Sequence, residues 1–363
     1  MQQERLNRIN AAMKEAGVQQ AIVSDPLVIY WLTGISIVPG ERMLALLLRE
    51  DGSHKLVCNA LFPQEETYGT DIVYYTDTDD GVALLYSFMA PGGAVAIDKN
   101  WPARFLLRFM ELDPAAKLIN SAPVIDGVRL IKDPGEQQAM ITASELCDQV
   151  MAKLVAQVDG ALDETELNTL VRDLFKEAGC EDVSFDPITA YAKNAADPHH
   201  VTNRTAGKYG DCVILDIGGK KDGYCSDMTR TVFLGEVSER QKEIYNIVLE
   251  ANLRGIAAAK PGNRMCDVDA ACRDYITEKG YGPYFTHRTG HSIGLEDHET
   301  GDVSSVNTAV IRPGQCFSVE PGIYLPDEGI GVRIEDLVLI TEDGCRVLNS
   351  YPKDIIVLPF KGV

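Results

Sequence analysis

The spacing of hydrophobic positions over residues 1–120 alternates between the period of helices and that of strands. Helical spacing covers residues 2–17 and recurs near 82–90 and 103–112. Short apolar runs predict strands at 21–25, 28–34, 43–50, 55–60, 71–77 and 94–100. This order of elements predicts an α/β domain. The stretch at 120–136 contains two prolines and two glycines, so we predict domains of residues 1–124 and 125–363.

The second part of the chain repeats one pattern of elements. Helices are predicted from Pro134 to Val158 and over 164–178, followed by strands, and a second pair of helices is again followed by strands. The predicted bounds of the later elements are strands 184–192, 211–219 and 223–234, helices 238–260 and 266–279, and strands 284–295, 314–324 and 331–341. Gly179 matches Gly280 and Asp216 matches Glu320, which predicts one domain of two similar halves.

Two acidic residues lie in the first predicted hairpin of this domain. Asp216 interrupts an apolar run, and Asp227 follows after a turn signal, Lys-Asp-Gly. With Lys221 and Asp222 at the tip, Asp216 lies opposite Asp227 with the Cβ atoms about 5 Å apart. Like charges in that arrangement destabilise a hairpin unless a cation lies between them.

The second half repeats this arrangement with Glu320 and Glu335 about the turn Pro-Asp-Glu-Gly. Taken singly, each of the four acids is better explained as a solvated group of an acidic protein. Their symmetric placement favours a cluster of about four negative charges, which two divalent cations would balance. Oxygen ligands favour Mn²⁺ or Mg²⁺, and an added imidazole admits Zn²⁺, Fe²⁺ or Co²⁺.

The histidines are grouped near these hairpins. His199 and His200 occur in DPHHVTN, and THRTGHSIGLEDHE contains His287, His291 and His298. Grouped histidines are candidates for a metal ligand and for acid–base groups, whereas His54 is interpreted as structural or solvated. The stretch GHSIG matches the G-x-S-x-G pattern of serine hydrolases, but no suitable Ser, acid and His order follows it.

Composition narrows the classes of partner. The formal net charge is −20, which disfavours nucleic acid and anionic membrane surfaces. No apolar run is long enough to span a bilayer, and the first residues lack the pattern of a signal peptide. Nine cysteines are scattered without a C-x-x-C pair, so we expect a reducing, cytoplasmic location.

At these motifs the sequence resembles the metal-dependent pita-bread peptidases, the family of creatinase, aminopeptidase P and prolidase, and is most similar to bacterial Xaa-Pro dipeptidases. The resemblance covers the whole chain. It implies a creatinase/prolidase-like N-terminal α/β domain, followed by a duplicated pita-bread catalytic domain with an antiparallel sheet and flanking helices. The implied α/β domain agrees with the order of elements predicted for residues 1–120. The implied duplication agrees with the repeat found in the second part of the chain.

The resemblance also implies the site residues. The five metal ligands correspond to Asp216 in LDIGG, Asp227 in CSDMTRT, His291 in RTGHSIG, Glu320 in VEPGIY and Glu335 in VRIED. His199 and His298 correspond to the histidines that contact substrate or stabilise the oxyanion. Two divalent metals are implied, with Mn²⁺ ranked first and Co²⁺ or Zn²⁺ as alternatives. The departures from the family pattern are Asp297, where valine or isoleucine is usual, and His200 directly after His199.

The resemblance implies a hydrolase in which a metal-bridging hydroxide attacks an Xaa-Pro peptide bond. Glu320 is the candidate proton shuttle, and Arg333, on the same strand face as Glu335, either clamps the carboxylates or is a surface arginine. Arg288 is the candidate for binding the free carboxylate of a dipeptide, although an exposed arginine without a role would look the same. Aminopeptidase P acting on longer proline-containing peptides and a catalytically silent binding module remain the alternatives. The family resemblance further implies a homodimer.

Overall fold

The structure is a computed structural model in which residues 1–362 are described. The chain divides into two compact units, Met1–Arg129 and Leu130–Val363. The helices are α1 Gln3–Glu15, α2 Pro26–Thr33, α3 Gly81–Tyr86, α4 Ala103–Leu112, α5 Ala122–Arg129, α6 Pro134–Val155, α7 Glu164–Glu177, α8 Ala192–Ala195, α9 Glu239–Ala258 and α10 Met265–Glu278, with a 3-10 turn at Gly282–Tyr284.

Within residues 1–362, six strands form the sheet of the first unit and fourteen lie in the second. The strands of the first unit are β1 Gln20–Val23, β2 Ala45–Arg49, β3 Lys55–Asn59, β4 Ile72–Tyr75, β5 Gly93–Ile97 and β6 Ala116–Asn120. Those of the second are β7 Asp182–Val183, β8 Ile188–Tyr191, β9 Cys212–Ile217, β10 Gly219–Lys221, β11 Tyr224–Cys225, β12 Met228–Leu234, β13 Gly290–Ser292, β14 Glu299–Val303, β15 Cys316–Val319, β16 Gly322–Leu325, β17 Ile330–Arg333, β18 Asp336–Ile340, β19 Cys345–Val347 and β20 Val357–Leu358.

The first unit is a mixed sheet in the order β4-β3-β2-β1-β5-β6, covered by helices. One predicted strand in it is wrong, because residues 28–34 belong to helix α2. The Asp25 side chain accepts a hydrogen bond from the Leu27 N–H at 2.8 Å, Pro26 starts the helix, and Gly34 ends it at φ +78°. The apolar run is buried nearly all round, so its periodicity does not distinguish a strand from a helix.

The sequence pattern also missed two elements at the end of this unit. Strand β6 and helix α5 occupy residues that the pattern left without secondary structure. The domain boundary predicted between residues 124 and 125 falls inside α5. Proline lacks a backbone N–H, which costs nothing in the first turn of a helix, so Pro123 is compatible with the start of α5.

The second unit has the predicted duplication. Each half begins with two helices, α6 with α7 and then α9 with α10, and continues into antiparallel strands. Capping boxes start α6 at Asp133 and α9 at Ser238, which explains why these helix starts were readable from the sequence. The sheet β20-β12-β9-β8 belongs to the first half and β14-β13-β15-β18-β19 to the second. The two halves together make the mixed α/β pita-bread fold.

The first hairpin is shifted by two residues from the predicted register. Asp216 pairs with Thr229, and Asp227 lies two positions before Thr229. The shift arises at the turn, because Lys221 pairs with Tyr224 and leaves Asp222 and Gly223 as the loop. Both loop residues have positive φ, +50° and +81°, as a two-residue hairpin turn of this twist requires. Asp216 and Asp227 therefore become diagonal neighbours rather than opposite residues.

The register predicted for the second hairpin is confirmed. Val319 pairs with Asp336 in one sheet and Gly322 pairs with Arg333 in the next, so the same register brings Glu320 opposite Glu335. Strands β16 and β17 then continue to a turn between Leu325 and Ile330. In the part of the chain described here, no helix combines the length and the apolar character needed to cross a membrane.

Candidate active site

A cavity of about 600 Å³ in the second unit brings together the site residues proposed from the sequence. Their side chains come from both halves of the duplicated domain. Those that line the cavity are His199, Asp216, Asp227, Arg288, His291, His298, Glu320, Arg333 and Glu335. Residues more than a hundred positions apart thus meet because the two hairpins face one space.

The hairpins are joined by a hydrogen bond between their carboxylate regions. The Thr229 hydroxyl, opposite Asp216 on the first hairpin, donates to Glu335 Oε2 at 2.7 Å. Glu320 accepts from the Ser318 hydroxyl at 3.1 Å. These contacts give two of the carboxylates fixed orientations within the protein interior.

His291 lies between the two acidic hairpins. Its Nε2 atom is 3.5 Å from both Asp227 Oδ2 and Glu320 Oε1. Its Nδ1 atom is 3.3 Å from the Ser292 carbonyl oxygen, so Nδ1 carries the proton and Nε2 keeps a free lone pair. Ligand atoms of Asp227, His291 and Glu335 lie within 4.8 Å of one another. This is a donor set for a metal ion.

Two observations show that the acidic cluster fits divalent cations. Asp216 Oδ1 and Asp227 Oδ1 are buried and have no hydrogen-bond partner in the protein. Burial, followed by repulsion from neighbouring carboxylates, raises the pKa of Asp227 and of Glu335 well above the usual range, and burial raises the pKa of Glu320 to about 7. Buried carboxylates without partners are unfavourable unless they coordinate a cation. Carboxylate and imidazole ligands suit Mn²⁺, Co²⁺ or Zn²⁺.

Arg333 anchors one side of this cluster. Its guanidinium donates to Asp216 Oδ2 at 2.7 Å, to the Thr229 hydroxyl at 3.1 Å and to the Tyr324 hydroxyl at 3.0 Å. Because Arg333 donates to Oδ2 of Asp216, Oδ1 is the oxygen of this carboxylate that remains for a cation. Arg333 is 3% exposed, so the alternative of a surface arginine is wrong.

The arginine continues into a chain of hydrogen bonds that sequence reasoning missed. Arginine can only donate, so the Tyr324 oxygen accepts from it and its hydroxyl proton points to His287 Nε2, 2.8 Å away. His287 Nδ1 then donates to the Arg288 carbonyl at 2.7 Å. Burial lowers the pKa of His287 to about 3. His287 was visible only as a member of the histidine group, and Tyr324 had no signal beyond an apolar strand.

His298 and Arg288 form the more open side of the cavity. An Arg288 guanidinium nitrogen donates to His298 Nδ1 at 3.2 Å, so the neutral imidazole carries its proton on Nε2. Burial and the neighbouring His291 lower the pKa of His298, and the two imidazole centroids are 3.9 Å apart. Asp297 also lines this cavity, although its position gave no functional signal beyond the departure from the family pattern.

The serine-hydrolase pattern finds no support in the structure. Ser292 lies in β13 with 1% of its surface exposed. It is therefore inaccessible as a nucleophile. The site instead has the character of a metal-dependent hydrolase, with clustered acids, an oriented imidazole and neutral histidines around one cavity.

Comparison with known proteins agrees with this class. Residues 138–342 match Metallopeptidase family M24 and residues 5–131 match the Creatinase/Prolidase N-terminal domain. The chain therefore belongs to metallopeptidase family M24. Membership of this family implies divalent metal ions and a peptide substrate.

Three similar proteins span essentially the whole chain. An uncharacterized peptidase of Staphylococcus aureus strain MRSA252 is 35% identical over 96% of this chain and 100% of its own length. A crystal structure of prolidase from Thermococcus sibiricus has a TM-score of 0.93 at 33% identity, covering 99% of both chains. Xaa-Pro dipeptidase from Bacillus anthracis has a TM-score of 0.90 at 31% identity, covering 99% of this chain and 100% of its own.

Proposed function

We propose that this metallopeptidase is a dinuclear enzyme that hydrolyses Xaa-Pro dipeptides. The observation that carries the proposal is the position of Arg288, which lines one cavity with the acidic cluster and whose guanidinium donates to His298 Nδ1. A dipeptide has a free carboxylate one residue beyond its scissile bond, and a guanidinium binds carboxylates well. Similarity to proteins named prolidase and Xaa-Pro dipeptidase supports the same substrate class.

The proposed metal ligands are the five residues Asp216, Asp227, His291, Glu320 and Glu335, holding two divalent cations with Mn²⁺ ranked before Co²⁺ or Zn²⁺. Cations bound there supply Lewis acidity, which lowers the pKa of water and polarises a carbonyl oxygen. The partnerless oxygens of Asp216 and Asp227 support this assignment.

Glu320 is the proposed proton shuttle. Its Oε1 atom lies 3.5 Å from His291 Nε2 among the proposed metal ligands, where the carboxylate can hold a water molecule and accept its proton. Glu320 takes the proton of the attacking water and delivers it to the proline nitrogen as the peptide C–N bond breaks. Arg333 keeps Asp216 in place beside it through the 2.7 Å contact.

His298 and His199 are the proposed donors to the carbonyl oxygen. Burial keeps the His298 imidazole uncharged, and its proton lies on Nε2. The hydrogen bond from Nε2–H to the carbonyl oxygen becomes stronger as negative charge develops on that oxygen. His199 lines the same cavity and supplies a second donor. Arg288 binds the carboxylate of the proline and so orients the dipeptide.

The first test compares proline release from Ala-Pro with cleavage of Ala-Pro-Ala after EDTA treatment and addition of Mn²⁺, Co²⁺ or Zn²⁺. We expect cleavage of the dipeptide. In Arg288→Met the KM for Ala-Pro should rise about 30-fold, the effect of losing about 2 kcal/mol of charge-assisted hydrogen bonding. The exposed Arg312→Met is the matched control and should change the KM less than twofold.

Other outcomes would point to the alternatives. Preference for Ala-Pro-Ala, with equal effects of Arg288→Met on both substrates, would identify an aminopeptidase P. Cleavage of neither peptide with any of the three metals would favour a catalytically silent binding module.

We also propose a cytoplasmic homodimer. The dimer rests on the family resemblance, and the reducing compartment rests on the free thiols of all nine cysteines. Light scattering coupled to size exclusion should give about twice the chain mass of 39.8 kDa. A mass equal to one chain would exclude the dimer.

A further inference from the structure

Glu164, at the start of α7, has a fully buried side chain and lies outside the set of residues that line the active-site cavity. A carboxylate in such a place is costly unless its oxygens are well satisfied. Both backbone polar groups of Glu164 are also hydrogen-bonded. The N–H donates to the Thr205 carbonyl at 3.0 Å, and the carbonyl accepts from the Thr189 hydroxyl at 2.9 Å. Glu164 therefore has little freedom to move.

Four hydrogen bonds converge on the Glu164 carboxylate from one segment of chain. Oε1 accepts from the Tyr191 N–H at 3.0 Å and from Asn194 Nδ2 at 2.8 Å. Oε2 accepts from His200 Nε2 at 2.7 Å and from the Asn203 N–H at 3.1 Å. Two donors precede His199 in the chain and two follow it, so a single carboxylate closes a loop around that histidine.

This loop is held in a conformation that it would not readily adopt alone. Ala192, between the first two donors, has φ +45°, in the left-handed region that is unfavourable for a residue with a Cβ. At the middle of the loop the His199 N–H donates to Asp197 Oδ1 at 3.1 Å, while the His199 side chain lines the cavity. The four contacts with Glu164 join both ends of the loop, in addition to the contacts that Thr165 and Asn168 make with Asn203 and Thr202.

His200 is the one imidazole among the four donors. Tyr191, Asn194 and Asn203 offer N–H groups that only donate, so both Glu164 oxygens act as acceptors and His200 carries its proton on Nε2. Within residues 1–362, no lysine or arginine forms an ion pair with Glu164, and the imidazole of His200 is the side chain that contacts Glu164 Oε2 at 2.7 Å. His200, one of the two residues that depart from the family pattern, directly follows His199 in the chain, so a contact that holds His200 also restricts His199.

We propose that Glu164, acting through His200 and Asn194, is a positioning residue that sets the location of His199 in the active-site cavity. The catalytic consequence rests on the proposed function of His199. A displacement of about 1 Å at a reacting group can cost about 10²-fold in rate, so a carboxylate remote from the cavity can still control turnover.

The first test is hydrogen–deuterium exchange, measured by mass spectrometry on the full-length chain. Glu164→Gln keeps the side-chain shape but turns an NH₂ group toward N–H donors on one side, which breaks hydrogen bonds there. We expect exchange over residues 191–203 to become at least about tenfold faster. Glu136→Gln is the matched control, because Glu136 is also a buried glutamate in the first turn of a helix of this unit. It should leave exchange of that segment unchanged.

A second pair of variants keeps the test valid if Glu164→Gln does not fold. His200→Gln retains a donor that reaches Glu164, whereas His200→Ala removes it. Faster exchange over 191–203 in His200→Ala, with rescue in His200→Gln, supports the proposal. Unchanged exchange in His200→Ala, measured alone where Glu164→Gln does not fold or together with unchanged exchange in Glu164→Gln, overturns it.

The link to catalysis is tested by a double-mutant cycle with His199→Ala. We expect Glu164→Gln to lower kcat/KM about 30-fold in the wild-type background and less than about threefold in the His199→Ala background, because the effect passes through His199. Equal losses in both backgrounds would show a structural role only and overturn the proposal. If the wild-type chain cleaves no Xaa-Pro peptide, the proposed function fails, while the exchange measurements still decide whether Glu164 positions the segment.

Discussion

At the residue scale, the acidic cluster consists of carboxyl groups that are buried, although a charged carboxylate is more stable in water. Asp227 and Glu335 are 4% and 2% exposed, and burial raises the pKa of each carboxyl. In the metal-free chain these carboxylates repel one another. With cations bound, the same charges become favourable ligands, so each residue has opposite effects on stability in the two states.

Asp227→Asn tests this reversal. We expect the variant to raise the Tm of EDTA-treated protein by a few degrees, about 1 kcal/mol, because it removes one repelling charge. It should also abolish the Tm increase on adding Mn²⁺ and lower kcat/KM about 10³-fold, which corresponds to about 4 kcal/mol. Differential scanning calorimetry with and without Mn²⁺ measures the stability, and proline release measures the activity.

The exposed Asp274→Asn serves as the control for a change in charge alone. It should leave both the Mn²⁺ response and the activity at the wild-type level. An undiminished Mn²⁺ response in Asp227→Asn would mean that Asp227 is not a ligand.

At the element scale, the site depends on how closely neighbouring strands approach. A Cβ atom at Gly290, the residue before His291, would lie 1.9 Å from the Ser318 carbonyl oxygen. That oxygen belongs to the backbone of β15 and can move only if the sheet moves. Glycine at this position therefore allows β13 to bring His291 against the acidic cluster.

Gly290→Ala should separate β13 from β15. We expect the free energy of unfolding to fall by about 1–3 kcal/mol, the usual range for overpacking a tight interior. The Kd for Mn²⁺ should rise at least about tenfold, because His291 moves away from its partners. Urea unfolding and metal titration measure the two effects.

Gly344→Ala is the matched control, since nothing lies within 4 Å of its added Cβ. A loss of stability no larger than that of Gly344→Ala would contradict the proposed steric requirement at Gly290.

At the scale of the whole molecule, the buried acids make stability depend on pH in an unusual direction. The pKa of Glu320 is raised from 4.5 to about 7, so in this interval the folded chain binds more protons than the unfolded chain. The stabilising contribution is complete below about pH 4.5 and disappears as the pH rises through about 7. For a single group, a shift of this size corresponds to about 3 kcal/mol.

Metal-free wild type should therefore lose more stability than Glu320→Gln between about pH 5 and about pH 8. We expect a difference of up to about 3 kcal/mol in the free energies of unfolding, measured by urea titration in EDTA. Parallel pH profiles for the two proteins would contradict the raised pKa of Glu320. Addition of Mn²⁺ should reduce the difference, because a bound cation favours the ionised carboxylate.

The sequence alone determined the elements whose signals are local. Capping residues such as Asp133 and Ser238 mark helix starts, and the periodicity that follows them identifies the two repeated helix pairs. The register of the second hairpin was also predictable, because Glu320 and Glu335 are placed symmetrically about the turn Pro-Asp-Glu-Gly. The residue types proposed for the metal site came from their positions in recognisable motifs and from the repeat.

The tertiary structure decided what local signals leave open. The run at 28–34 is a helix that begins after the Asp25 cap and ends at Gly34. Because most of the run is buried, its hydrophobic pattern lacks the periodicity that distinguishes a helix from a strand. The first hairpin took its register from Asp222 and Gly223, whose positive φ values match the twist of the strands better than the turn assumed from the sequence.

The contacts that organise the site join residues far apart in the chain. Thr229 reaches Glu335, Arg333 reaches Asp216, and Glu164 holds the segment around His199. The sequence predicted Arg333 as a clamp on the carboxylates but not its partner Asp216, and it gave no signal for the other two contacts. Each partner is chosen by packing between elements rather than by spacing along the chain. The sequence thus determined which chemical groups the protein possesses, and the folded structure decided their distances, their proton positions and their pKa values, because those depend on burial and on long-range neighbours.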